Sequence, residues 1–475
     1  MDYGVEVGTL SGRPLFFCGI GGSGMLPLAQ IAHGLGHPVA GSDRSHDAGR
    51  TPEKFSWMKH HGFSLFPQDG SGVTSPDQIL VASAAIEDSV PEMVRARELG
   101  CDRLSRAELL SALFNDAGFS IAVGGTSGKS TVTGMIAWIL HEGEYDPTVM
   151  NGAVMKNFAS AANPFASARI GRPDLFVSEV DESDGSIALY RSTVGVLLNV
   201  SLDHKSIEEL RVLFGNFVAR SGTAVINLDS PEAGYLVPRA GQCVTFGVKD
   251  RNADITVEPD SIDQSELGIR AAVLDNRKRE VFPLILPMPG LHNLSNALAA
   301  IAAASAAGIG IGHAAYALRS FDGLARRFDV VGTSPGGITV IDDFGHNPEK
   351  CAATLRTMKA SQGRVIAFFQ PHGFGPLRQM GAELAATFAR ELGPDDITIL
   401  CDPVYFGGTV DRSEGSDRIV RLINEAGGNA EHIPAREDCG TRISDLARPG
   451  DRIVVMGARD DTLTEFAQSL LARLP

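Results

Sequence analysis

The feature that most constrains this chain is a glycine-rich segment, GGTSGKS at residues 124–130, which lies between an apolar run and a helical run. The run SIAV at residues 120–123 predicts a short buried strand, and residues 131–141 predict a helix. A glycine loop between a strand and the N-terminus of a helix can wrap phosphate oxygens with its backbone N–H groups. The sequence therefore predicts an α/β domain that binds a nucleotide.

The polar side chains of this loop have the chemistry that ATP requires. Lys129 would reach the β- and γ-phosphates, and Ser130 or Thr131 would contact Mg²⁺. Val123 stands where the usual phosphate-loop pattern has its first glycine, so a glycine turn with an exposed lysine is the alternative. The apolar helix that follows favours ATP. The predicted ATP-binding residues of the loop are Gly125, Thr126, Ser127, Gly128, Lys129, Ser130 and Thr131.

A second glycine loop, GIGGSG at residues 19–24, follows a predicted strand near the N-terminus. Its spacing fits GxGxxG, a helix is predicted through about residue 35, and Asp43 ends the next predicted strand. The pattern indicates a diphosphate-containing ligand such as NAD or another nucleotide, and a tight strand-to-helix turn is the alternative. The residues predicted to bind this ligand are Gly19, Gly21, Gly22, Ser23, Gly24, Met25 and Asp43.

Three further segments of the central region carry polar side chains beside predicted strands or helices. SEVDESDGS at residues 178–186 offers carboxylates as oxygen ligands for Mg²⁺, or forms a solvated acidic turn. His204 follows the strand predicted at residues 194–199 and would contact a metal or a phosphate, or be an ordinary loop residue. LHNLSNA at residues 291–297 opens a predicted helix, for which Asn293 would also serve as a plain N-cap.

The last third of the chain contains two more motifs, ARRFD at residues 325–329 and IDDFGHNP at residues 341–348. The two arginines of the first motif would hold phosphate. Asp343 and His346 lie where a predicted strand ends, which is the usual place for ligand contacts in α/β sheets. The alternatives are a salt bridge in a domain linker and a helix cap.

Length and composition bound the class of protein. A chain of 475 residues is too long for one core, and two or three domains are expected. The net charge of −15 argues against a nucleic-acid partner, and the six scattered cysteines, with no CxxC pair, indicate a reducing compartment. The sequence shows neither a signal-peptide pattern nor a long apolar run. We therefore expect a cytoplasmic enzyme with no nucleic-acid or membrane partner.

Taken in order, these motifs resemble those of the Mur ligase family. GIGGSGM, SAAIEDSVPE, GGTSGKST, SEVDESD, LHNLSNA, RRFD, DDFGHNP, FQPH and MGA follow the family's order over nearly the whole chain. The resemblance implies an α/β fold with a Rossmann-like N-terminal domain that binds a UDP-sugar and a central P-loop-type ATPase domain with a mixed sheet. It also implies a Rossmann-like C-terminal domain that contacts the amino acid and the nucleotide. We expect these domains at residues 1–116, 117–325 and 326–475.

The resemblance also implies roles for individual residues. The first glycine loop would hold UDP rather than NAD. The implied catalytic residues are Lys129, His204 and Arg327, and the implied metal ligands are Ser130, Glu179 and His204. The implied ATP contacts outside the loop are His292, Asn293, Asn296, Arg327 and Asp343. On the side of the incoming amine, the resemblance implies His346 and His372.

The implied reaction is ATP-dependent amide ligation through an acyl phosphate. It joins the carboxylate of a UDP-N-acetylmuramate-type substrate to an amino acid such as L-alanine and releases ADP and phosphate. The implied enzyme uses ATP and Mg²⁺, acts on small molecules and is a monomer or a homodimer. Two alternatives are a divergent Mur-like ligase with another carboxylate or amine outside main-line peptidoglycan synthesis, and an NAD-dependent oxidoreductase. The ATP loop argues against the oxidoreductase, which has no use for it.

The third region departs from the alanine-adding branch of the family at places that concern the amine. FQPHGFGP stands where that branch has FQPHRYTR, VYFGGTVDR replaces its P-A-G-E pattern, and MGARDD replaces MGAGD. The helix EELRVLFGNFV lacks the lysine that several family members carbamylate, a lack that the alanine-adding branch shares. The departures leave the amine open, whereas the ligase motifs are retained.

Overall fold

The computed structural model describes residues 10, 12–83, 86–201, 206–265, 268–404, 412, 414–458, 460 and 462–475. The chain forms two compact units. One contains Met1–Gln264 and Gly268–Asp322, and the other contains Ser265–Leu267 and Gly323–Pro475. The first and second expected domains thus share one unit, and the third expected domain makes up almost all of the other.

The N-terminal region is built from alternating strands and helices. They are β1 (Leu15–Cys18), α1 (Met25–Gly34), β2 (Val39–Ser42), α2 (Arg44–Asp47), α3 (Pro52–His60), β3 (Ser64–Phe66), β4 (Ile79–Ala82), α4 (Pro91–Leu99), β5 (Asp102–Ser105) and α5 (Arg106–Asp116). The strands form a parallel sheet in the order β3-β2-β1-β4-β5. The strand order reverses beside β1, and ligands of such sheets bind outside the carboxyl ends of the strands at that point. The Rossmann-like prediction is confirmed.

The central region contains the longest sheet. Its elements are β6 (Phe119–Gly124), α6 (Lys129–Glu142), β7 (Pro147–Met150), β8 (Ala168–Arg169), β9 (Arg172–Glu179), β10 (Val194–Leu197), α7 (Ile207–Arg220), β11 (Thr223–Asn227), α8 (Pro231–Gly234), β12 (Cys243–Phe246), β13 (Ile255–Val257), β14 (Asp263–Ser265), β15 (Gly268–Asp275), β16 (Glu280–Leu286), α9 (Leu291–Ala306) and α10 (Ile311–Ala317). The order is β14-β15-β13-β12-β11-β10-β6-β9-β7-β8, with β16 paired to β15. Parallel strands surround β6, whereas β8, β15 and β16 pair antiparallel, so the sheet is mixed as predicted.

The C-terminal region forms a third sheet. Its elements are β17 (Asp329–Thr333), β18 (Thr339–Asp343), α11 (Pro348–Lys359), β19 (Val365–Gln370), α12 (Phe374–Glu391), β20 (Ile397–Leu400), α13 (Ser416–Glu425), β21 (Ala430–His432), α14 (Arg436–Leu446), β22 (Arg452–Gly457) and α15 (Thr462–Arg473). The order is β17-β18-β22-β19-β20-β21, in which only the β17–β18 pair is antiparallel among the described strands.

The predicted elements match the structure with small shifts at their ends. The helix after the ATP loop begins at Lys129 rather than at residue 131, because the left-handed Gly128 ends the loop immediately before it. The alanine-rich helix begins at Leu291 and is followed by Gly308 with φ of 89°, the conformation expected of a C-terminal glycine. The sequence missed β17, whose mostly half-exposed side chains have no clear strand pattern.

Aromatic packing ties the N-terminal region to the central region. Phe114 of α5 is fully buried, and its ring lies 5.5 Å from that of Phe176 on β9 and 5.1 Å from that of Tyr190. Both pairs are edge-to-face, the favoured aromatic geometry. These contacts belong to one continuous apolar cluster, which explains why the first two expected domains form one unit.

The third sheet is covered on both faces. Alternate residues of a strand point to opposite faces, and neighbours such as Phe368 and Phe369 accordingly belong to different apolar clusters. Helices on both faces explain why its central strands are continuous apolar runs. None of the described helices of the chain is long and apolar enough to cross a lipid bilayer.

Candidate active site

The ATP loop follows β6, which lies between β10 and β9 in the large sheet. Its backbone has φ of 142° at Gly125 and 85° at Gly128, values that residues with a side chain rarely adopt. α6 begins at the next residue, Lys129. In the described part of the chain the amides of Gly128 and Lys129 have no hydrogen-bond acceptor, so they can bind phosphate oxygens at the positive end of the helix.

Asn199, just past the end of β10, braces the loop. Its Oδ1 accepts hydrogen bonds from Ser127 N at 2.9 Å and from Thr126 Oγ1 at 2.8 Å, and its Nδ2 donates to Ser127 O at 3.1 Å. The predicted residues Thr126 and Ser127 therefore shape the loop. Sequence reasoning missed Asn199, although it ends a predicted strand and the carboxyl ends of parallel strands meet at one edge of a sheet.

Lys129 is held by two oxygen atoms. Its Nζ lies 2.7 Å from Glu182 Oε2 and 2.8 Å from Gly125 O. Burial disfavours the charged lysine, but the neighbouring carboxylates, first that of Glu182, outweigh burial and raise the pKa of Lys129 above its ordinary value. Burial also raises the pKa of Glu182, which is 5% exposed, although Lys129 opposes that shift. Sequence reasoning named Glu179 from this acidic segment and missed Glu182.

Ser130 and Glu179 supply the oxygen donors that Mg²⁺ prefers. Ser130 Oγ donates a hydrogen bond of 2.7 Å to Glu179 Oε2. Mg²⁺ is usually held by one or two carboxylates together with substrate phosphates and waters, and this pair beside the phosphate loop fits that pattern. The described residues contain no group of three or more His, Cys, Asp or Glu side chains that could hold a metal ion. The predicted ligand His204 lies outside the described residues.

The start of α9 lies against the same loop. A methyl group on Gly128 would come within 2.7 Å of Asn296 Oδ1, so this amide touches the phosphate loop. Asn296 Nδ2 donates to Asn293 Oδ1 at 3.3 Å, and Asn293 Nδ2 donates to a backbone carbonyl of the preceding loop at 2.7 Å. Gly290 occupies the N-cap position, so the interpretation of Asn293 as the N-cap is wrong. His292 is exposed on the first turn.

The first glycine loop is braced by Asp43. Its Oδ2 accepts a hydrogen bond of 2.9 Å from Gly21 N, and its Oδ1 accepts one of 2.7 Å from Ser45 N. The amides of Ser23 and Gly24 have no acceptor among the described residues, which leaves them available to a diphosphate. Asp43 shapes the loop, and direct contact of its carboxylate with a ligand stays a prediction.

The remaining predicted residues of this loop form its turn. Gly22 N donates to Gly19 O at 3.1 Å, and Met25 N donates to Gly22 O at 3.0 Å. A methyl group on Gly19 would lie 3.9 Å from the side chain of Ile86. Ile86, which belongs to the motif SAAIEDSVPE, therefore lies beside the glycine loop, a contact that the sequence did not predict.

A cavity of about 650 Å³ lies at the carboxyl ends of β4 and β5. Ser83, Ile86, Glu87 and Ser105 are among the residues that line it. Its size falls within the range of small-molecule sites, and Ile86 connects it to the glycine loop. The N-terminal region therefore has a cavity next to amides that can bind a diphosphate.

Asp343 of the smaller unit is occupied by hydrogen bonds from its own neighbourhood. Its Oδ2 accepts from Phe328 N at 2.8 Å, and its Oδ1 accepts from Gly345 N and Thr354 Oγ1, each at 2.8 Å. The carboxylate is buried. Asp343 therefore ties the chain just after the two arginines to the loop after β18, and a direct contact with ATP stays a prediction.

The two neighbouring arginines differ in their surroundings. Arg326 is buried, with its Nε 3.3 Å from Asp342 Oδ1, and it donates to Gly457 O at 2.7 Å. The salt-bridge alternative is therefore confirmed for Arg326. Arg327 lies over the ring of Phe344, 4.5 Å from the centroid, and remains the predicted phosphate ligand.

His346 and His372 lie together in the smaller unit, with ring centroids 5.2 Å apart. Burial lowers the pKa of His346 to about 3, and the positive charge of Lys350 acts in the same direction. His346 is therefore neutral at physiological pH. Its Nδ1 lies 2.8 Å from Phe344 O, to which it donates its proton, so Nε2 is left as an acceptor.

The larger unit has a phosphate loop with a partly buried lysine and a second glycine loop beside a cavity, and the smaller α/β unit has an arginine and paired histidines. These features indicate a multidomain ATP-dependent enzyme. Comparison with known families gives its class. Residues 15–117 match the Mur ligase family catalytic domain, residues 123–304 match the Mur ligase middle domain, and residues 326–459 match the Mur ligase glutamate ligase domain. The chain belongs to the Mur ligase family.

Individual members of the family are similar to this protein along almost its whole length. It is 35% identical over 476 residues to a UDP-N-acetylmuramate–L-alanine ligase of Agrobacterium fabrum, with 96% of each chain covered. The ligase of the same name from Brucella anthropi is 35% identical over 470 residues, again with 96% of each chain covered. The crystal structure of UDP-N-acetylmuramate-alanine ligase from Thermotoga maritima has a TM-score of 0.77 and 25% identity over 97% of this chain and 99% of that chain.

A murein peptide ligase from Psychrobacter arcticus has the same fold, with a TM-score of 0.70 at 24% identity over 97% of this chain and 98% of that chain. The chain is therefore an ATP-dependent carbon–nitrogen ligase that uses Mg²⁺. Membership of this family removes the oxidoreductase alternative.

Proposed function

We propose that the enzyme joins the carboxylate of UDP-N-acetylmuramate to the amino group of an amino acid such as L-alanine, with release of ADP and phosphate. The observation that carries this proposal is 35% identity across 96% of the chain to ligases of that name. The phosphate loop with Lys129, the diphosphate-binding amides and the neutral His346 support it as parts of one reaction.

The first step transfers the γ-phosphoryl group of ATP to the substrate carboxylate. Two anions must approach each other, and Lys129 and Arg327 reduce their repulsion. Mg²⁺, held by Ser130 and Glu179, would neutralise phosphate charge. Gly125, Thr126, Ser127, Gly128, Thr131, His292, Asn293, Asn296 and Asp343 are the proposed remaining residues of the ATP site, and His204 is a proposed further metal ligand and catalytic residue.

The second step is attack of the amine on the acyl phosphate. We assign His346 and His372 to the side of the amine. Because His346 is neutral and its Nε2 is an acceptor, it can accept a hydrogen bond from the attacking amino group. The tetrahedral intermediate then collapses to the amide and phosphate.

The remaining proposals concern the first substrate and the assembly. The UDP-sugar would be bound by Gly19, Gly21, Gly22, Ser23, Gly24, Met25 and Asp43. The domains would extend over residues 1–116, 117–325 and 326–475. A cytoplasmic location and a monomeric or homodimeric state remain predictions.

The test is release of phosphate from ATP by the purified enzyme with UDP-N-acetylmuramate and a panel of amines. The panel contains L-alanine, glycine, L-serine and a peptide that begins with L-alanine. We expect phosphate release only when the sugar nucleotide and an amine are both present, with L-alanine the best amine. No release with any pair would contradict the ligase assignment.

A second candidate differs only in the amine. The replacement of FQPHRYTR by FQPHGFGP removes basic residues next to His372, where the incoming amino acid would bring a carboxylate. A peptide or another amine that outperforms L-alanine by tenfold or more in kcat/KM would favour this candidate.

A further inference from the structure

Arg106 is the first residue of α5, and, like Lys129 at the start of α6, it places a cation at the N-terminus of a helix. Ser105 and Glu108 form a capping box at this end of the helix, through hydrogen bonds of 2.7 Å and 3.1 Å between the backbone of each and the side chain of the other. The N-terminus of a helix is positive and favours acidic side chains in its first turn. The charge of Arg106 therefore does not stabilise α5 through the helix dipole.

The side chain of Arg106 lies against the first glycine loop. A methyl group on Gly24 would stand 3.2 Å from Arg106 Cδ and 3.5 Å from Nη1. Gly24 and Ser23 carry the amides that have no acceptor among the described residues. The guanidinium group is therefore next to the backbone donors that are available to an anion.

No carboxylate of the described residues forms an ion pair with Arg106, although it is only partly exposed. The exposed Arg103, three positions earlier, has such a partner in Asp88 at 2.9 Å. Five N–H donors of Arg106 are thus free to bind a ligand, and the planar guanidinium matches phosphate oxygens in a bidentate manner.

The charge of Arg106 also acts on Asp181 in the acidic segment. Burial raises the pKa of Asp181, whereas Lys129, two hydrogen bonds from Ser183 and the charge of Arg106 lower it, and the net shift is downward. Asp181 is the residue before Glu182, which pairs with Lys129. The charge of Arg106 thus acts on this acidic segment, while its side chain lies at the first glycine loop.

We propose that Arg106 binds the diphosphate of the sugar nucleotide together with the amides of Ser23 and Gly24. It acts as a positioning residue, which holds the sugar with its carboxylate towards the ATP loop. This inference rests on the proposed role of the glycine loop in binding the UDP-sugar. The carboxylate of the sugar acid is the other anion of the same substrate, and the experiment separates the two.

The experiment compares Arg106→Ala, Arg106→Lys and the control Arg97→Ala, an exposed arginine on α4. Binding of uridine, UDP, UDP-N-acetylglucosamine and UDP-N-acetylmuramate is measured by calorimetry, and binding of ATP reports on correct folding. We expect Arg106→Ala to weaken UDP and both UDP-sugars by about 10- to 100-fold and to leave uridine and ATP unchanged. Arg106→Lys should recover part of the loss, and Arg97→Ala should behave as the wild type.

The kinetic readout separates positioning from a structural role. In Arg106→Ala the KM for the sugar nucleotide should rise by a similar factor, whereas the KM for ATP should not change. Equal affinity of wild type and Arg106→Ala for UDP would overturn the inference. A loss confined to UDP-N-acetylmuramate would also overturn it, because the contact would then be to the carboxylate. A wild-type enzyme that binds no uridine nucleotide would overturn the proposed role of the glycine loop itself.

Discussion

At the scale of single residues, the pair of Lys129 and Glu182 sets the electrostatics of the ATP site. The ammonium group lies 2.7 Å from a carboxylate that is almost fully buried. The phosphates of ATP must compete with this carboxylate for the same cation. We therefore expect Glu182 to position Lys129 and to lower the affinity for ATP.

Glu182→Gln removes the competing charge and keeps the shape of the side chain. We expect ATP to bind about 3- to 10-fold more tightly, because Lys129 no longer gives up a charge-assisted hydrogen bond. Calorimetric titration with ATP measures the change, and Glu142→Gln, an exposed glutamate on α6, is the matched control.

The tighter binding of ATP expected for Glu182→Gln should depend on Lys129, and this can be tested with a double variant. Lys129→Ala should lower the rate of ligation by roughly 100-fold or more, as expected for loss of a contact worth about 3 kcal/mol in the transition state. In a protein that already carries Lys129→Ala, Glu182→Gln should not increase the affinity for ATP, because there is no lysine to release. An equal gain in both backgrounds would show that Glu182 acts on ATP without Lys129.

The lowered pKa of His346 makes the stability of the folded protein depend on pH. Its pKa is about 3 in the folded protein, against an ordinary value of 6.5. Between these values the unfolded chain binds more protons, so the stability that His346 contributes is complete above about pH 6.5 and declines as the pH falls.

We therefore expect the free energy of unfolding of the wild type to fall, relative to that of His346→Asn, as the pH is lowered from 7 to 4. Urea unfolding at several pH values gives the free energies. His60→Asn, at an exposed histidine, should show a smaller change. A difference that does not vary with pH would contradict the assignment of a neutral, partly buried His346.

At the scale of elements, α5 connects two parts of the larger unit. Its first residue, Arg106, lies at the glycine loop, and Phe114 near its end packs on β9 and on Tyr190. The capping box and the buried residues of α5 hold the helix against the larger unit, and Arg106 and Phe114 lie near its two ends.

Phe114→Ala should destabilise the larger unit by about 3–5 kcal/mol, because it removes a fully buried ring and leaves a cavity. Denaturant unfolding measures this loss. Val212→Ala, at a residue of α7 that is 66% exposed, should change stability by no more than about 0.5 kcal/mol. A loss below about 1 kcal/mol for Phe114→Ala would mean that the aromatic cluster is not essential for this packing.

At the scale of the whole molecule, the proposed chemistry is divided between the two units. The larger unit carries both glycine loops, Lys129 and the oxygen donors for Mg²⁺, and the smaller unit carries Arg327, His346 and His372. Each unit has its own apolar clusters. Binding of the sugar nucleotide and completion of the amide bond should therefore be separable.

A chain that ends at Asp322 should bind UDP within about threefold of the full chain, should bind ATP more weakly because it lacks the proposed contacts of Arg327 and Asp343, and should form no amide. Calorimetry tests the binding, and phosphate release with UDP-N-acetylmuramate and L-alanine tests the reaction. Full-length chain with Arg327→Ala serves as the comparison, because it removes one group and keeps the smaller unit. Ligation by the shortened chain would show that the smaller unit is not required.

The local features of this protein could be predicted from its amino-acid sequence. Both glycine loops, the strands before them and the helices after them depend on glycine conformation, apolar periodicity and helix polarity, which act over a few neighbouring residues. Those features, in the order of the Mur ligase motifs, were sufficient to predict a three-domain ATP-dependent ligase. Ser130 and Glu179 were also predicted, and the structure brings them to 2.7 Å.

The partners of individual side chains depend on the three-dimensional fold. Asn199 reaches Ser127, Glu182 reaches Lys129 and Arg106 reaches Gly24 across long stretches of chain. The tertiary structure also decided that the carboxylates of Asp43 and Asp343 accept backbone hydrogen bonds from their own loops. In a sequence, several residues of the same chemical type are possible partners of a charged residue. The order of the strands in the sheet decides which of them lie next to it.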